Sequence, residues 1–147
     1  MHVCTNFRDL RRACPKDNFP TPFINHILYQ CGGSEVFLFM DIFSGYNQIN
    51  IKPKDQHQTA FICPWGTFPY QKMPFGLKNA KATFHWDMTF YFHDLKRIIE
   101  FYLDDLSTHS HLRVNQPNHL CLVFERCCPY QIMLNTQKCI FCVNVGR

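Results

Sequence analysis

The sequence predicts an α+β domain in which a mostly antiparallel sheet packs on helices. Three observations carry that reading. Strand-length apolar runs and helix-spaced runs occur in mixed order rather than in strict alternation, which disfavours a parallel βαβ sheet. Neighbouring strand candidates are joined by tight turns, as in hairpins. The chain has 147 residues, 46% hydrophobic and 18% charged, with 15 Phe. That is enough for one ring-rich core, in one domain or part of one.

The elements follow in chain order. Residues 22–31 read as a short helix, with Thr21 as cap, Pro22 at the first helical position and Gly32-Gly33 as terminator. Val36 to Ile42 is apolar apart from Asp41, the signature of a strand buried on both faces. Gln48 to Ile51 alternates polar and apolar and reads as another strand. Thr59–Cys63 and Thr67–Lys72 flank Pro64-Trp65-Gly66 as a hairpin. Residues 79–95 read as the longest helix, capped by Asn79, with Phe84, Met88, Tyr91, Phe92 and Leu95 on one face. Residues 97–102 and 106–109 flank Asp104-Asp105 as two strands around a turn. Residues 118–130 form a helix with Leu120, Val123, Phe124, Cys127 and Cys128 at helical spacing, and Lys138–Val143 returns to a strand.

Composition excludes several classes. No apolar run is longer than the five residues of Val36–Met40, far short of the ~20 residues of a membrane helix, so no membrane partner is expected. No apolar segment follows Arg8, Arg11 and Arg12, so no secretory signal is expected. A net charge of +4 is compatible with nucleic acid without requiring it. The nine cysteines are odd in number and read as reduced thiols. Cys139 and Cys142 alone have C-x-x-C spacing. A zinc site would need further ligands from His109, His111, His119, Cys127 or Cys128, and core or strand cysteines are the simpler reading.

Three acidic residues sit in unfavourable surroundings. Asp41 closes Val36–Met40, and Asp104 and Asp105 follow Ile98–Leu103. An ionised carboxylate beside apolar residues is costly unless paired or metal-bound, and adjacent carboxylates repel. Divalent cations relieve both, and hard oxygen ligands suit Mg²⁺. One Asp and one Asp pair on separate strands is what a two-metal phosphoryl-transfer site needs. On these residues alone the alternative stays open, since an Asp at a strand end is more often a turn former.

The surrounding blocks resemble reverse transcriptases, most closely those of gypsy-type LTR retrotransposons and plant elements in particular. They are Asn6–Leu10, Cys14–Pro20, Phe39–Ile49, Thr59–Phe61, Met73–Ala80, Ala82–Phe84, Tyr102-Leu103-Asp104-Asp105, and Leu134-Asn135 with Lys138-Cys139 and Phe141. They cover essentially the whole chain in order. The resemblance implies a palm-and-fingers fold: residues 1–35 as partial fingers, 36–147 as a palm-centred region, and a fingers-type hairpin near 52–72. It implies RNA-directed DNA synthesis with two Mg²⁺ ions, for which Mn²⁺ can substitute, on an RNA or DNA template-primer with deoxynucleoside triphosphates. Asp41, Asp104 and Asp105 would be the catalytic metal ligands. Tyr46 would lie under the incoming sugar and exclude a 2′-hydroxyl, the alternative being a core tyrosine. Ile42, Phe75 and Gly76 would line the nucleotide pocket. Arg8, Lys72, Lys78 and Tyr102 would contact template or primer.

Departures from the family pattern shape the expectation. Met1-His2 stands where the family has Trp-Arg, which predicts weaker hold on the triphosphate. Asn6 replaces the usual Asp, and Lys81 stands where the family has Pro. Thumb and RNase H sequences are not among these residues, so weak or no activity is expected of the chain alone. The rival expectation is a non-catalytic retroelement remnant that binds nucleic acid or a protein.

Overall fold

In a computed structural model of the chain, residues 5–20, 22–103 and 105–144 are described, the last three by backbone alone. Thr21, the expected cap, and Asp104 lie outside the described residues, as do Met1 and His2. The chain forms two compact units, one of residues 1–19 and 44–84, the other of residues 20–43 and 85–147.

The second unit is built on an antiparallel sheet. β1 (Val36–Asp41) lies between β5 (Asp105–Ser110) and β6 (Ile140–Asn144), and β4 (Ile99–Tyr102) pairs with the far side of β5. Val36, Leu38 and Met40 are each 1% exposed, whereas Phe39 is 40% exposed and Phe37 and Asp41 are partly exposed. The expectation of a strand buried on both faces is therefore corrected. An antiparallel sheet needs cover on one face only, and β1 alternates accordingly. Ile99 and Leu106 continue the buried face across the neighbouring strands.

Helix α5 (Gln116–Tyr130) packs on β5. Its inner face is Gln116, Val123 and Cys127, while Phe124 and Cys128, expected on that face, are exposed. Gln116 Nε2 donates to Thr108 Oγ1 at 3.0 Å, which fixes the helix start over the strand. Gln131 ends the helix in the left-handed conformation (φ 54°), and Ile132 N–H reaches back to Cys127 O, closing the last turn. α2 (Ile24–Gln30) starts two residues later than expected and buries no residue. No helix among the described residues is long and apolar enough to cross a membrane.

β5 also carries a buried imidazole. His109 is 3% exposed; its Nδ1 lies 3.0 Å from Ser34 Oγ, and its Nε2 has no hydrogen-bond partner among the described residues. Burial above all, then His111 and His119, hold its pKa below the ordinary 6.5. The folded protein thus binds this proton less readily than the unfolded chain. The stability that follows is complete above about pH 6.5 and is lost as pH falls through the lowered value. Urea melts at pH 7.5 and 5.5 should show a larger loss at acid pH for the wild type than for His109→Gln. An equal loss in both would refute the assignment.

The first unit holds α1 (Arg8–Ala13), a 3₁₀ turn over Gly45–Gln48, α3 (Pro53–Gln56) and a hairpin of β2 (Phe61–Cys63) and β3 (Gly66–Phe68). The strand expected at Gln48–Ile51 does not form. Ser44 turns left-handed (φ 46°) and the 3₁₀ turn takes up Gln48, leaving one bridge, Asn50 to Lys72. α4 (Ala80–Tyr91) begins in this unit and ends four residues short of the expected Leu95. Ala80, Phe84 and Met88 are its buried positions, at spacings of four, and Phe92 is buried just beyond its end. Lys81 is exposed in the first turn, so a lysine in place of proline is accommodated there. The Asn79 side chain bonds to the chain at Pro15 and Asp17.

Candidate active site

The carboxylates gather at one end of the sheet. Asp41 is the last residue of β1 and Asp105 the first of β5, and the register places them directly opposite each other. Tyr102 pairs with Asp105 from β4, and Leu103, left-handed at φ 58°, begins the turn between the two strands. Two like charges facing each other across a ladder are destabilising, so this end of the sheet favours a compensating cation.

Asp41 is the better buried of the pair, its side chain 21% exposed. Asn135 Nδ2 donates to its Oδ2 at 3.1 Å, Lys138 Nζ stands 3.5 Å from the same oxygen, and Asn135 N–H holds its carbonyl at 2.8 Å. Bridges from Ile42 to Leu134 and from Phe43 N–H to Met133 O tie the same segment to the strand end. Asn135 and Lys138 belong to a motif block in the sequence that by itself assigns them no role. Their three-residue spacing on a turn was the available signal, and only the fold shows that both aim at Asp41.

The residues fit a hard divalent cation. The donors are carboxylate oxygens, two of them are brought together by register, and one is oriented by an amide donor. Asp104 lies outside the described residues. Among the described residues no three His, Cys, Asp or Glu side chains form a metal-holding group; the side chain of Cys142, on which the zinc alternative depends, lies outside them. Cys139 donates to Asn135 O at 3.2 Å, and burial above all pushes the Cys127 thiol up to about 11, so it stays protonated and unreactive.

The remaining predicted residues belong to the first unit, apart from Ile42, which is buried beside Asp41, and Tyr102, 42% exposed on β4. Arg8, Phe75 and Gly76 line one cavity of about 280 Å³ with Thr5, Asn6 and Phe7. Phe75 is 75% exposed there. Gly76 has φ 100°, which a side chain would strain. The Tyr46 ring lies 6.2 Å from Phe75 and 5.3 Å from Phe84, so one ring joins a buried phenylalanine to an exposed one. Lys72 and Lys78 are exposed, and each donates to a backbone carbonyl, of Gln48 at 3.3 Å and of Cys14 at 2.7 Å.

Comparison with known proteins agrees with these observations. A family model described as reverse transcriptase (RNA-dependent DNA polymerase) matches residues 1–145. The chain is 28% identical over 142 residues to the Transposon Tf2-3 polyprotein of Schizosaccharomyces pombe, and 27% identical to the Tf2-7 polyprotein of the same organism. Either match covers 96% of this chain and 11% of the relative, so the chain spans about a tenth of the length of these curated relatives. Its fold matches the foamy viral protease-reverse transcriptase in complex with RNA/DNA hybrid (TM-score 0.83, 18% identity, 92% of this chain and 18% of that one). It also matches that enzyme's dRH form in complex with double-stranded DNA (TM-score 0.84, 18% identity, 94% and 24%).

Proposed function

The chain belongs to the reverse transcriptase (RNA-dependent DNA polymerase) family, and from that premise we propose that it performs template-directed DNA synthesis as part of a retrotransposon polyprotein, gypsy-type and plant-like. The observation that carries the reading is the facing pair of Asp41 and Asp105 at the sheet end. Residues 1–35 and the hairpin near 52–72 act as fingers, and 36–147 as the palm-centred region.

Asp41, Asp104 and Asp105 would hold two divalent cations, Mg²⁺ or Mn²⁺, which when bound supply Lewis acidity toward the primer 3′-hydroxyl and the α-phosphate. Asn135 and Lys138 hold the Asp41 carboxylate in one orientation. The Tyr46 ring bars a 2′-hydroxyl from the sugar position, and Phe75 and Gly76 offer an open apolar surface to the base. Arg8, Lys72, Lys78 and Tyr102 contact the template-primer, the cations through its phosphates. Holding the primer in line is the demanding part of such catalysis, and the isolated 147-residue chain is weakly active or inactive.

Primer extension on RNA and DNA templates with Mg²⁺ or Mn²⁺ tests the reading, with Asp104→Asn as the blank. Tyr46→Val should lose roughly 10- to 200-fold in discrimination against ribonucleotides, the scale of a steric pocket contact. Tyr46→Phe should keep it, and ribonucleotide use unchanged by Tyr46→Val would remove the residue from the pocket. One observation favours a second reading, a binding module without catalysis: Lys138 already pairs with Asp41. Divalent-metal titration separates the two, since the non-catalytic module would show no saturable site that depends on Asp41.

A further inference from the structure

Two donors meet the same oxygen of Asp41, and the chain holds them very differently. Asn135 Nδ2 lies 3.1 Å from Asp41 Oδ2 and Lys138 Nζ 3.5 Å from it, while Oδ1 has no partner among the described residues. Every polar atom of Asn135 is committed. Its Oδ1 accepts Gln137 N–H at 3.3 Å, and its own N–H donates to Asp41 O at 2.8 Å. Its carbonyl accepts Lys138 N–H at 3.0 Å and the Cys139 thiol at 3.2 Å. The bond from Gln137 decides which end of the amide faces the carboxylate. Oδ1 turns back into its own loop, so the donor end is left for Asp41.

The Lys138 ammonium has none of this support. Its side chain is 68% exposed, against 21% for Asp41, and among the described residues its ammonium meets the Asp41 carboxylate alone. A compact charge on a flexible four-carbon stem leaves an exposed partner at little cost. Charge gives it a reason to stand there. Asp41 and Asp105 face each other across the ladder, and a nearby cation offsets part of their repulsion. A divalent cation on the same carboxylate offsets it more fully. It would also repel the ammonium, so the two cations compete for Asp41.

We propose, on the basis of the metal-site reading above, that Lys138 is a place-holder cation. It offsets the charge of the facing aspartates until a divalent ion binds, and that ion displaces it. Asn135 stays on Oδ2 throughout and leaves Oδ1 to the metal. The two residues therefore act on metal affinity with opposite sign: Lys138 lowers it by competing, and Asn135 raises it by orienting the ligand. If both did no more than hold the carboxylate, loss of either would weaken the metal.

Calorimetric titration of the 147-residue chain with Mg²⁺, repeated with Mn²⁺, tests this without turnover. Lys138→Met should bind both ions about 2- to 5-fold more tightly, the fold-change that corresponds to one exposed ion pair. The gain should shrink in high salt, which screens such a pair. Lys138→Arg keeps the charge and should show no such gain. Asn135→Ala should bind about 10-fold more weakly, the scale of lost support behind a metal ligand. Circular dichroism checks its fold, and Lys138→Met, at an exposed position, carries the test if Asn135→Ala does not fold. With saturable binding by the wild type, unchanged or weaker binding by Lys138→Met, or an equal gain in Lys138→Arg, would overturn the place-holder role and leave the metal site standing. A folded Asn135→Ala of wild-type affinity would overturn the division between the two residues. Absence of any saturable wild-type binding that Asp41→Asn removes would overturn the metal site itself, and the place-holder with it.

Discussion

Wherever primer extension by the chain is measurable, Asp41→Asn should lower it by about 10²-fold or more, the scale expected when a preorganised charge is removed from a reacting centre. It should barely change stability. The substitution keeps an oxygen acceptor of the same size, so the bond from Asn135 Nδ2, 3.1 Å in the wild type, survives. It removes the ion pair with Lys138, whose side chain is 68% exposed, and pairs of that kind contribute about 0.2–1 kcal/mol. It also removes half of a repulsive pair, because Asp105 faces the same position. The two terms have opposite sign, and the melting temperature without metal should stay close to that of the wild type. Metal supplies a readout independent of turnover. A ligand that binds only the folded state raises stability by mass action. Mg²⁺ should therefore raise the melting temperature of the wild type and not that of Asp41→Asn. Equal Mg²⁺ stabilisation of both proteins would remove Asp41 from the metal-binding set, whatever the extension assay shows.

The carboxylate pair was legible in the sequence because it breaks a rule. Charges at the ends of apolar runs stand out against a hydrophobic pattern, and ordered motif blocks around them make an ambiguous turn former a candidate site. What could not be read was what holds Asp41. Asn135 and Lys138 lie more than ninety residues away in the chain, and nothing local in 134–138 says where a turn will be delivered. The exposed side of β1 was misread for a related reason. Phe37 and Phe39 make the run look buried on both faces, but phenylalanine is placed by aromatic neighbours as much as by burial, and these two rings stack 6.2 Å apart. The missing strand at Gln48–Ile51 shows the limit of alternation. Four residues cannot outweigh a left-handed Ser44 and a 3₁₀ turn that consumes the first of them. Helix α4 was right in face and wrong in length, because Phe92 and Leu95 keep the helical spacing through a turn that follows the helix: Leu95 N–H bonds to Phe92 O.

Leu106→Ala should cost about 2–5 kcal/mol of folding stability, a large share of the ~5–15 kcal/mol that a domain has in total. Leu106 is 0% exposed, in register with Met40 on one side and Phe101 on the other, both buried. Three adjacent strands thus meet at its side chain, and a fixed sheet cannot close over the void left by its loss. For a chain of this size each kcal/mol corresponds to about 2–4 °C, so the melting temperature should fall by roughly 5–20 °C. Leu106→Met, which conserves volume, should cost less than about 1.5 kcal/mol. The position has a functional edge, because the next residue back is Asp105 and the next pair along the ladder is Asp41 with Asp105. The buried row of Met40, Leu106 and Phe101 is the floor on which the facing carboxylates stand. Metal affinity should therefore weaken in Leu106→Ala even under conditions where the variant is fully folded, while His109, three residues further along β5, keeps its surroundings. A stability loss below about 1 kcal/mol in urea melts, or unchanged Mg²⁺ affinity in the folded variant, would separate the core from the site and refute this coupling.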